Sequence, residues 1–235
     1  MSVVDVWVLG VDALARDGVL AAYDGLLSPD ERARRDGFRH DTDRRAYVAA
    51  HGLVRTALSR RSPATAPADW LFRTTSHGRP DVDGDGPAAR LRFNVAHTRA
   101  AVACVVADTV DCGVDVEDVT RPADVDLLAR GTLTPDERRA VTTAPAHETN
   151  VEFFRHWTLK EAYAKARGLG MSVPFDRCGF ALDGDAIRLV PHPSLDDDVA
   201  AWRFEQWRQG TVVVAVAVRA EDGDPHEIVL HGEPP

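Results

Sequence analysis

The chain has 235 residues, 44% of them hydrophobic, and carries a formal net charge of −9. A chain of this length and composition can bury one large hydrophobic core or two smaller ones. The acidic charge argues against a nucleic-acid partner, because such binding needs a basic surface that neutralises phosphates. The longest apolar run, at 212–218, is far shorter than a bilayer-spanning helix, so we expect no membrane partner.

The N-terminal segment and the cysteines predict a cytoplasmic protein. Residues 1–10 contain an acidic residue, Asp5, and no basic one, so they do not resemble a signal peptide. Cys104, Cys112 and Cys178 are odd in number and lack the spacing of metal ligands. We therefore expect reduced, structural thiols, which are typical of the cytosol.

Hydrophobic periodicity predicts strands and helices in both halves of the chain. In the first half we expect strands at 3–11, 91–95 and 100–107 and helices at 29–35 and 42–60. In the second half we expect strands at 112–116, 178–182, 187–190, 200–207 and 211–218, a short helix after Thr134, and a helix at 158–167. Candidate core residues of the helix at 42–60 are Tyr47, Leu53, Val54, Ala57 and Leu58.

Three short motifs occur in the same order in the two halves. GVD at 10–12, LSPDER at 27–32 and AYVAAHGL at 46–53 match GVD at 113–115, LTPDER at 133–138 and AYAKARGL at 162–169. They predict two similar α+β halves, 1–108 and 109–235, related by pseudo-twofold symmetry with the active site in the cleft between them. The alternative is coincidence. The third match places Arg44 and Arg45 opposite Lys160 and Glu161.

Only two of the 28 basic residues are lysines, and both lie in the stretch WTLKEAYAK at 157–165. Lysine supplies a compact ammonium charge where arginine supplies a planar fork, so lysine here indicates a specific role. The stretch is rich in helix formers, and Trp157, Glu161 and Lys165 are spaced to share one helix face. The alternative is an ordinary Glu–Lys pair on a solvated surface.

The predicted strand DCGVDVED at 111–118 ends in acidic residues. Because alternate residues of a strand face the same side, Asp115 and Glu117 project together. Neighbouring carboxylates repel each other unless a cation lies between them or one of them takes up a proton. A few oxygen ligands of this kind suit Mg²⁺, and Glu161 would add a third carboxylate. The alternative is a solvated strand end with incidental acids.

Taken together, these motifs resemble the Sfp-like class of 4′-phosphopantetheinyl transferases. The resemblance rests on FNVAHT at 93–98, GVDVE at 113–117 and WTLKEAYAK at 157–165 with GLG at 168–170, and it extends from about Leu27 to Pro174. Ala96 stands where that family usually has serine. The resemblance implies an α+β fold and the transfer of 4′-phosphopantetheine from coenzyme A to a serine of an apo acyl or peptidyl carrier protein.

The resemblance also implies roles for individual residues. Asp115, Glu117 and Glu161 would bind Mg²⁺, with Glu161, Lys165 and Lys160 as the catalytic residues. Lys165 would contact the pyrophosphate of coenzyme A, which is the substrate. The remaining coenzyme A ligands would be Arg44 or Arg45, Arg79, Pro80, His97 and Thr98. We expect a monomer that releases 3′,5′-ADP.

Two other functions stay open from the sequence. One is a non-catalytic module that binds coenzyme A or a carrier protein, and the other is a different Mg²⁺-dependent phosphotransferase. The chain has neither a Walker A loop nor a kinase glycine loop, which argues against the phosphotransferase.

Overall fold

The computed structural model describes residues 3–75, 78–184, 186–190, 192–195, 197–220 and 226–235. The chain divides into two units, Met1–Val110 with Pro225–Pro235, and Asp111–Asp224. The sequence predicts a boundary at 108, with the whole C-terminal segment in the second half. Among the described residues, no helix has both the length and the apolar character needed to cross a bilayer.

In each unit a first strand is followed by a run of helices and then by four more strands. The first unit contains β1 (Val3–Gly10), α1 (Val11–Arg16), α2 (Val19–Gly25), α3 (Pro29–Asp36), α4 (Asp41–Arg61), β2 (Phe72–Thr74), β3 (Pro80–Val82), β4 (Leu91–His97) and β5 (Ala101–Asp108). The second contains β6 (Cys112–Asp118), α5 (Val125–Thr132), α6 (Pro135–Thr143), α7 (Thr149–Ala166), β7 (Gly179–Asp183), β8 (Ala186–Val190), β9 (Trp202–Gln209) and β10 (Val212–Arg219). The last strand is β11 (Glu227–His231).

In the first unit, a four-stranded sheet with the order β11-β1-β5-β4 packs against α4. The strand β11 pairs in parallel with β1, which explains why the end of the chain belongs to this unit. β5 pairs antiparallel with both β1 and β4. All five predicted core residues of α4 are buried, as expected: Tyr47, Leu53, Val54, Ala57 and Leu58.

In the second unit, a three-stranded antiparallel sheet with the order β6-β10-β9 packs against α7. The strands β7 and β8 form a separate hairpin. Cys112 and Cys178 are buried thiols in this unit, and Cys104 is one in the first unit. The helix α7 begins at Thr149, nine residues before the predicted start. Its first half contains the buried residues Val151, Phe153 and Phe154, so tertiary packing supports a segment that has only modest helix propensity.

The two units share one order of elements: strand, capped helix, long helix, short hairpin, and two antiparallel strands, the second of which pairs with the first strand of the unit. The helices α3 and α6 both begin with a complete capping box, at Ser28 and Thr134. In each unit the glutamate of that box contacts two residues of the long helix. One is a histidine, and the other is a positively charged residue four positions later. Glu31 contacts His51 and Arg55, and Glu137 contacts His156 and Lys160.

This correspondence corrects two of the three sequence matches. Because His51 corresponds to His156, Arg44 and Arg45 correspond to Thr149 and Asn150, not to Lys160 and Glu161. The GVD match is coincidental, since 10–12 spans the end of β1 and the start of α1, whereas 113–115 lies within β6. The capping-box match is correct.

Candidate active site

The helix α7 lies unusually close to β6 at Gly113. A Cβ atom at this position would lie 2.1 Å from the carbonyl oxygen of Ala162 and 2.5 Å from the amide nitrogen of Ala166. Both are backbone atoms, so a side chain could be accommodated only by moving the helix. The glycine therefore lets the last turns of α7 rest directly on the strand that carries Asp115 and Glu117.

Asp115 is the most enclosed of the predicted metal ligands, with 6% of its surface exposed. Its Oδ1 accepts a hydrogen bond from Nζ of Lys165 at 2.6 Å, and the same ammonium donates to the carbonyl oxygen of Val114 at 3.3 Å. Its Oδ2 is buried and has no hydrogen-bond partner within the described part of the chain. A buried carboxylate oxygen without a partner is costly, and such an atom calls for a ligand.

Glu117 lies two residues further along β6 and faces α7 as well. Its Oε1 accepts a hydrogen bond from the indole Nε1–H of Trp157 at 3.2 Å and lies 3.3 Å from an Nη atom of Arg121. Trp157 and Lys165 therefore reach two alternate residues of one strand from a single helix face. This confirms the predicted common orientation of Asp115 and Glu117.

Glu161 lies on the same face of α7, between Trp157 and Lys165. Burial and the charge of Asp115 raise the pKa of Glu161 above its usual value, and the charge of Lys165 offsets part of this. Burial likewise raises the pKa of Asp115, although Lys165 opposes it. Burial and then Asp115 raise the pKa of Glu117. Three carboxyl groups thus share a region in which negative charge is disfavoured.

These residues fit a divalent cation by their chemistry, but they are not arranged around one. Among the described residues, no three His, Cys, Asp or Glu side chains form a group ready to hold a metal ion. The ammonium of Lys165 stands at Oδ1 of Asp115, and Glu117 turns toward Trp157. The unpartnered Oδ2 of Asp115 and the raised pKa values of the three carboxyl groups are nevertheless what a missing cation would relieve.

The structure places Lys160 differently from the sequence analysis, which grouped it with the catalytic residues. Its side chain is 0% exposed. Its ammonium contacts Oε2 of Glu137 at 2.7 Å and donates to the carbonyl oxygens of Phe175, at 2.5 Å, and Cys178. Lys165 reaches Asp115 of β6, and Glu161 lies on the same helix face, whereas Lys160 projects from another side of α7. It is therefore a buried structural residue that cannot touch substrate.

Apart from Lys165, the predicted coenzyme A ligands lie in the first unit. Arg44 donates its Nε–H to the carbonyl oxygen of Phe38 at 3.2 Å, and so helps to fix the turn before α4. Arg45 pairs with Asp41 at 2.7 Å and is largely exposed. Arg45 is therefore the more accessible guanidinium, while Arg44 has a partner in the protein backbone.

Other predicted ligands lie at the ends of β3 and β4. Pro80 begins β3, and Arg79 precedes it with an Nη atom 3.4 Å from the carbonyl oxygen of Phe93 in β4. His97 is exposed and ends β4. The hydroxyl of Thr98 accepts backbone N–H groups of Ala100 and Ala101 at 3.1 Å each, so it closes the turn between β4 and β5. Arg79 thus contacts the strand that His97 ends.

Two residues of this region escaped the sequence analysis as functional candidates. Glu137 was noted only within the repeated motif LTPDER, yet its side chain is 2% exposed and it joins three elements. The sequence feature that could have revealed it is the same capping box at Glu31 in the first unit. Gly113 was noted only within a repeated motif, and its role depends on a helix approach that no local pattern shows.

Comparison with known proteins identifies the family. The sequence profile described as the 4′-phosphopantetheinyl transferase superfamily matches residues 111–217. The 4′-phosphopantetheinyl transferase HetI of Nostoc sp. is 32% identical over 194 residues, which cover 82% of this chain and 78% of that protein. The 4′-phosphopantetheinyl transferase Sfp of Bacillus subtilis is 28% identical over 160 residues, 68% of each chain. A holo-(acyl-carrier-protein) synthase from Bacillus anthracis, in complex with coenzyme A (3′,5′-ADP), has a TM-score of 0.40 and 19% identity over 48% of this chain and 98% of that one.

The chain belongs to the 4′-phosphopantetheinyl transferase superfamily. This membership confirms the predicted family, the α+β fold, the enzyme class and the transfer of phosphopantetheine as its function. The matched segment contains the strand β6 and the helix α7, which carry Asp115, Glu117, Glu161 and Lys165.

Proposed function

We propose that this chain transfers 4′-phosphopantetheine from coenzyme A to a serine of an apo carrier protein, with Mg²⁺ held by Asp115, Glu117 and Glu161. The observation that supports the metal site is the buried, unpartnered Oδ2 of Asp115 beside the two glutamates. Mg²⁺ bound there would neutralise negative charge on the pyrophosphate and on the leaving 3′,5′-ADP.

Lys165 is suited to hold the pyrophosphate of coenzyme A. Its ammonium lies 2.6 Å from Oδ1 of Asp115, with about a quarter of its side chain exposed. A cation at Asp115 would free this ammonium to turn toward phosphate oxygens. Lys165 would then place a point charge where negative charge develops in the transition state.

Glu161 is the proposed general base. The serine oxygen of the carrier attacks the phosphorus that bears pantetheine, its proton passes to the carboxylate of Glu161, and the bond between that phosphorus and the bridging oxygen of 3′,5′-ADP breaks. A carboxylate positioned beside the serine hydroxyl can act as a general base in such a step. Lys160 has no place in this step because it is fully enclosed.

We propose that the first unit supplies residues for the 3′-phosphate and adjacent groups of coenzyme A. The candidates are His97, Thr98, Arg79 with Pro80, and the Arg44–Arg45 pair. Arg45 is the better candidate of that pair, since Arg44 is occupied by the carbonyl oxygen of Phe38. We further propose that the protein acts as a cytoplasmic monomer on acyl or peptidyl carrier proteins.

One assay tests this function against its rivals. The chain is incubated with coenzyme A, Mg²⁺ and an apo carrier protein, and the carrier is then weighed by mass spectrometry. A gain of one phosphopantetheinyl group supports the proposal. No gain with several carriers, together with tight coenzyme A binding, would indicate a non-catalytic module. In a parallel reaction that also contains ATP, consumption of ATP would indicate another phosphotransferase.

A further inference from the structure

Lys160 is enclosed in a cage of oxygen atoms on the side of α7 that does not face β6. Its ammonium pairs with Oε2 of Glu137 at 2.7 Å and donates to the carbonyl oxygens of Phe175 and Cys178. An ammonium has three donors, so these three partners satisfy it completely. The two carbonyls belong to the loop after α7, so Lys160 ties the helix to the chain that follows it.

Glu137 completes this connection from the other side. One carboxylate oxygen accepts the backbone N–H of Thr134 at 2.8 Å and caps α6, and the other accepts the backbone N–H of Phe180 at 2.8 Å in β7. His156, one turn before Lys160 on α7, lies 3.5 Å from the same carboxylate. A single enclosed carboxylate therefore connects the start of α6, the first residues of β7 and two turns of α7.

The position of Lys160 on the helix couples this cage to the metal-binding face. Successive residues of an α-helix are rotated by roughly 100°, so Glu161 follows Lys160 about a quarter turn around the axis. Glu161 and Lys165, four residues apart, lie on nearly the same line. With Lys160 fixed on one side and Lys165 bound to Asp115 on another, α7 cannot turn about its axis without breaking one of these contacts.

We propose that Lys160 and Glu137 are positioning residues that set the rotation of α7, and thereby the placement of Glu161 relative to Asp115 on which divalent-cation binding depends. The proposal rests on the proposed function, because it assumes that Asp115 and Glu161 share a cation. In this proposal Lys160 affects the reaction only by holding its neighbour Glu161 in position.

The first unit provides a matched control. Glu31 and Arg55 form the same connection between a capping box and a long helix, with two oxygens of Glu31 at 3.1 and 2.9 Å from one Nη atom. Arg55 is as enclosed as Lys160, with 3% of its side chain exposed. It is followed by Thr56, whose hydroxyl donates to the carbonyl oxygen of Gly52 in its own helix. Breaking this pair should disturb a long helix without moving any of the three carboxylates.

The test measures Mn²⁺ affinity, which does not require turnover. Binding of Mn²⁺ to K160M, R55M and wild type is followed by the electron paramagnetic resonance of free Mn²⁺, with saturating coenzyme A and a protein-free blank. We expect K160M to bind Mn²⁺ about tenfold more weakly or worse. We expect R55M to stay within about twofold of wild type, because Arg55 contacts Glu31, Pro67 and Trp70 of its own unit and none of the three carboxylates.

A second variant keeps the proposal testable if K160M does not fold. In K160M the buried carboxylate of Glu137 would lose its ammonium partner. The double variant E137Q/K160M removes both charges, a change that buried ion pairs often tolerate, although glutamine can accept only one of the two backbone N–H groups that Glu137 accepts and the variant should be less stable than wild type. It should fold, as judged by circular dichroism, and show the same loss of Mn²⁺ affinity. Wild-type Mn²⁺ affinity in either folded variant overturns the proposal, and so does failure of both to fold. If wild type neither binds Mn²⁺ nor modifies a carrier, the proposed function fails as well.

Discussion

The indole N–H of Trp157 on α7 points at Oε1 of Glu117 on β6, at 3.2 Å. This hydrogen bond joins the two elements that carry all the proposed metal ligands. It also gives Glu117 a fixed orientation, since Arg121 contacts the same oxygen from the other side. A hydrogen bond to a charged acceptor contributes about 1.5–3 kcal/mol, so its loss should be measurable.

We expect W157F to retain the fold and to need more Mg²⁺. Phenylalanine keeps most of the ring contact with Phe153 and Phe175 but cannot donate to Glu117. The Mg²⁺ concentration for half-maximal carrier modification should rise about tenfold. W202F is the control, because the indole N–H of Trp202 donates to Asp197 and to none of the three carboxylates, and phenylalanine keeps a ring against Tyr163 of the same helix, α7. Equal Mg²⁺ titrations for W157F and wild type would show that Glu117 does not depend on this bond.

We expect G113A to be strongly destabilised. Its Cβ would lie 2.1 Å from the carbonyl oxygen of Ala162, and relief requires α7 to move away from β6. Overpacking of this kind costs about 1–3 kcal/mol or more, which thermal unfolding would reveal as a lower Tm. G131A is the matched control, since no atom lies within 4 Å of its added Cβ in α5 and alanine favours a helix. A Tm for G113A equal to that of wild type would contradict the close approach.

We expect E161Q to lose turnover while keeping the fold. Glutamine preserves the shape but removes the charge that binds the cation and takes the proton of the serine. General-base contributions are about 10²–10⁴-fold, so carrier modification should fall at least that far. E205Q is the control, because Glu205 is a partly buried carboxyl on β9 outside the proposed site. Near-normal transfer by E161Q would exclude Glu161 from both roles.

The raised pKa values of Asp115, Glu117 and Glu161 predict how Mg²⁺ changes stability with pH. A carboxyl whose folded pKa lies above its unfolded pKa favours the folded state at low pH, and that contribution is lost as pH rises through the folded pKa. Mg²⁺ should relieve this cost, so the increase in Tm that it causes should be larger at pH 7.5 than at pH 5. An increase that is equal at both values would contradict a shared carboxylate site.

Other carboxylates act in the opposite direction, so the comparison must be made with and without Mg²⁺ at each pH. Burial alone would raise the pKa of Glu31, but the hydrogen bond from His51, the cap at Ser28 and the charge of Arg55 lower it to about 2. Its contribution to stability is present above its unfolded pKa and is lost as pH falls toward 2. The loss of stability that Glu31 causes at low pH is the same with and without Mg²⁺. The variant D115N lacks one metal ligand, so its Tm should depend on pH in the same way with and without Mg²⁺.

The motif-bearing elements could be predicted from the sequence because their signals are local. The spacing of Trp157, Glu161 and Lys165 defined one helix face, and the alternation at 113–117 defined one strand face. Capping boxes at Ser28 and Thr134 gave the starts of two helices to the residue. These features depend on hydrogen bonds and periodicities within a few residues.

The remaining features depend on tertiary contacts that no local pattern encodes. β11 exists because it pairs with β1, more than two hundred residues earlier in the chain. The helices α1 and α2 are too short, at six and seven residues, to show a clear period. The enclosure of Lys160 could not be predicted because its neighbour Glu161 made the pair resemble one site, although consecutive helix residues face different sides.

Crystals grown with coenzyme A and Mn²⁺ would test the metal site most directly, by the anomalous scattering of Mn²⁺. We predict one strong peak within bonding distance of the carboxylate of Asp115, with Glu161 beside it and the ammonium of Lys165 moved to a phosphate oxygen. No peak at Asp115, with Lys165 still paired to its carboxylate, would contradict the account.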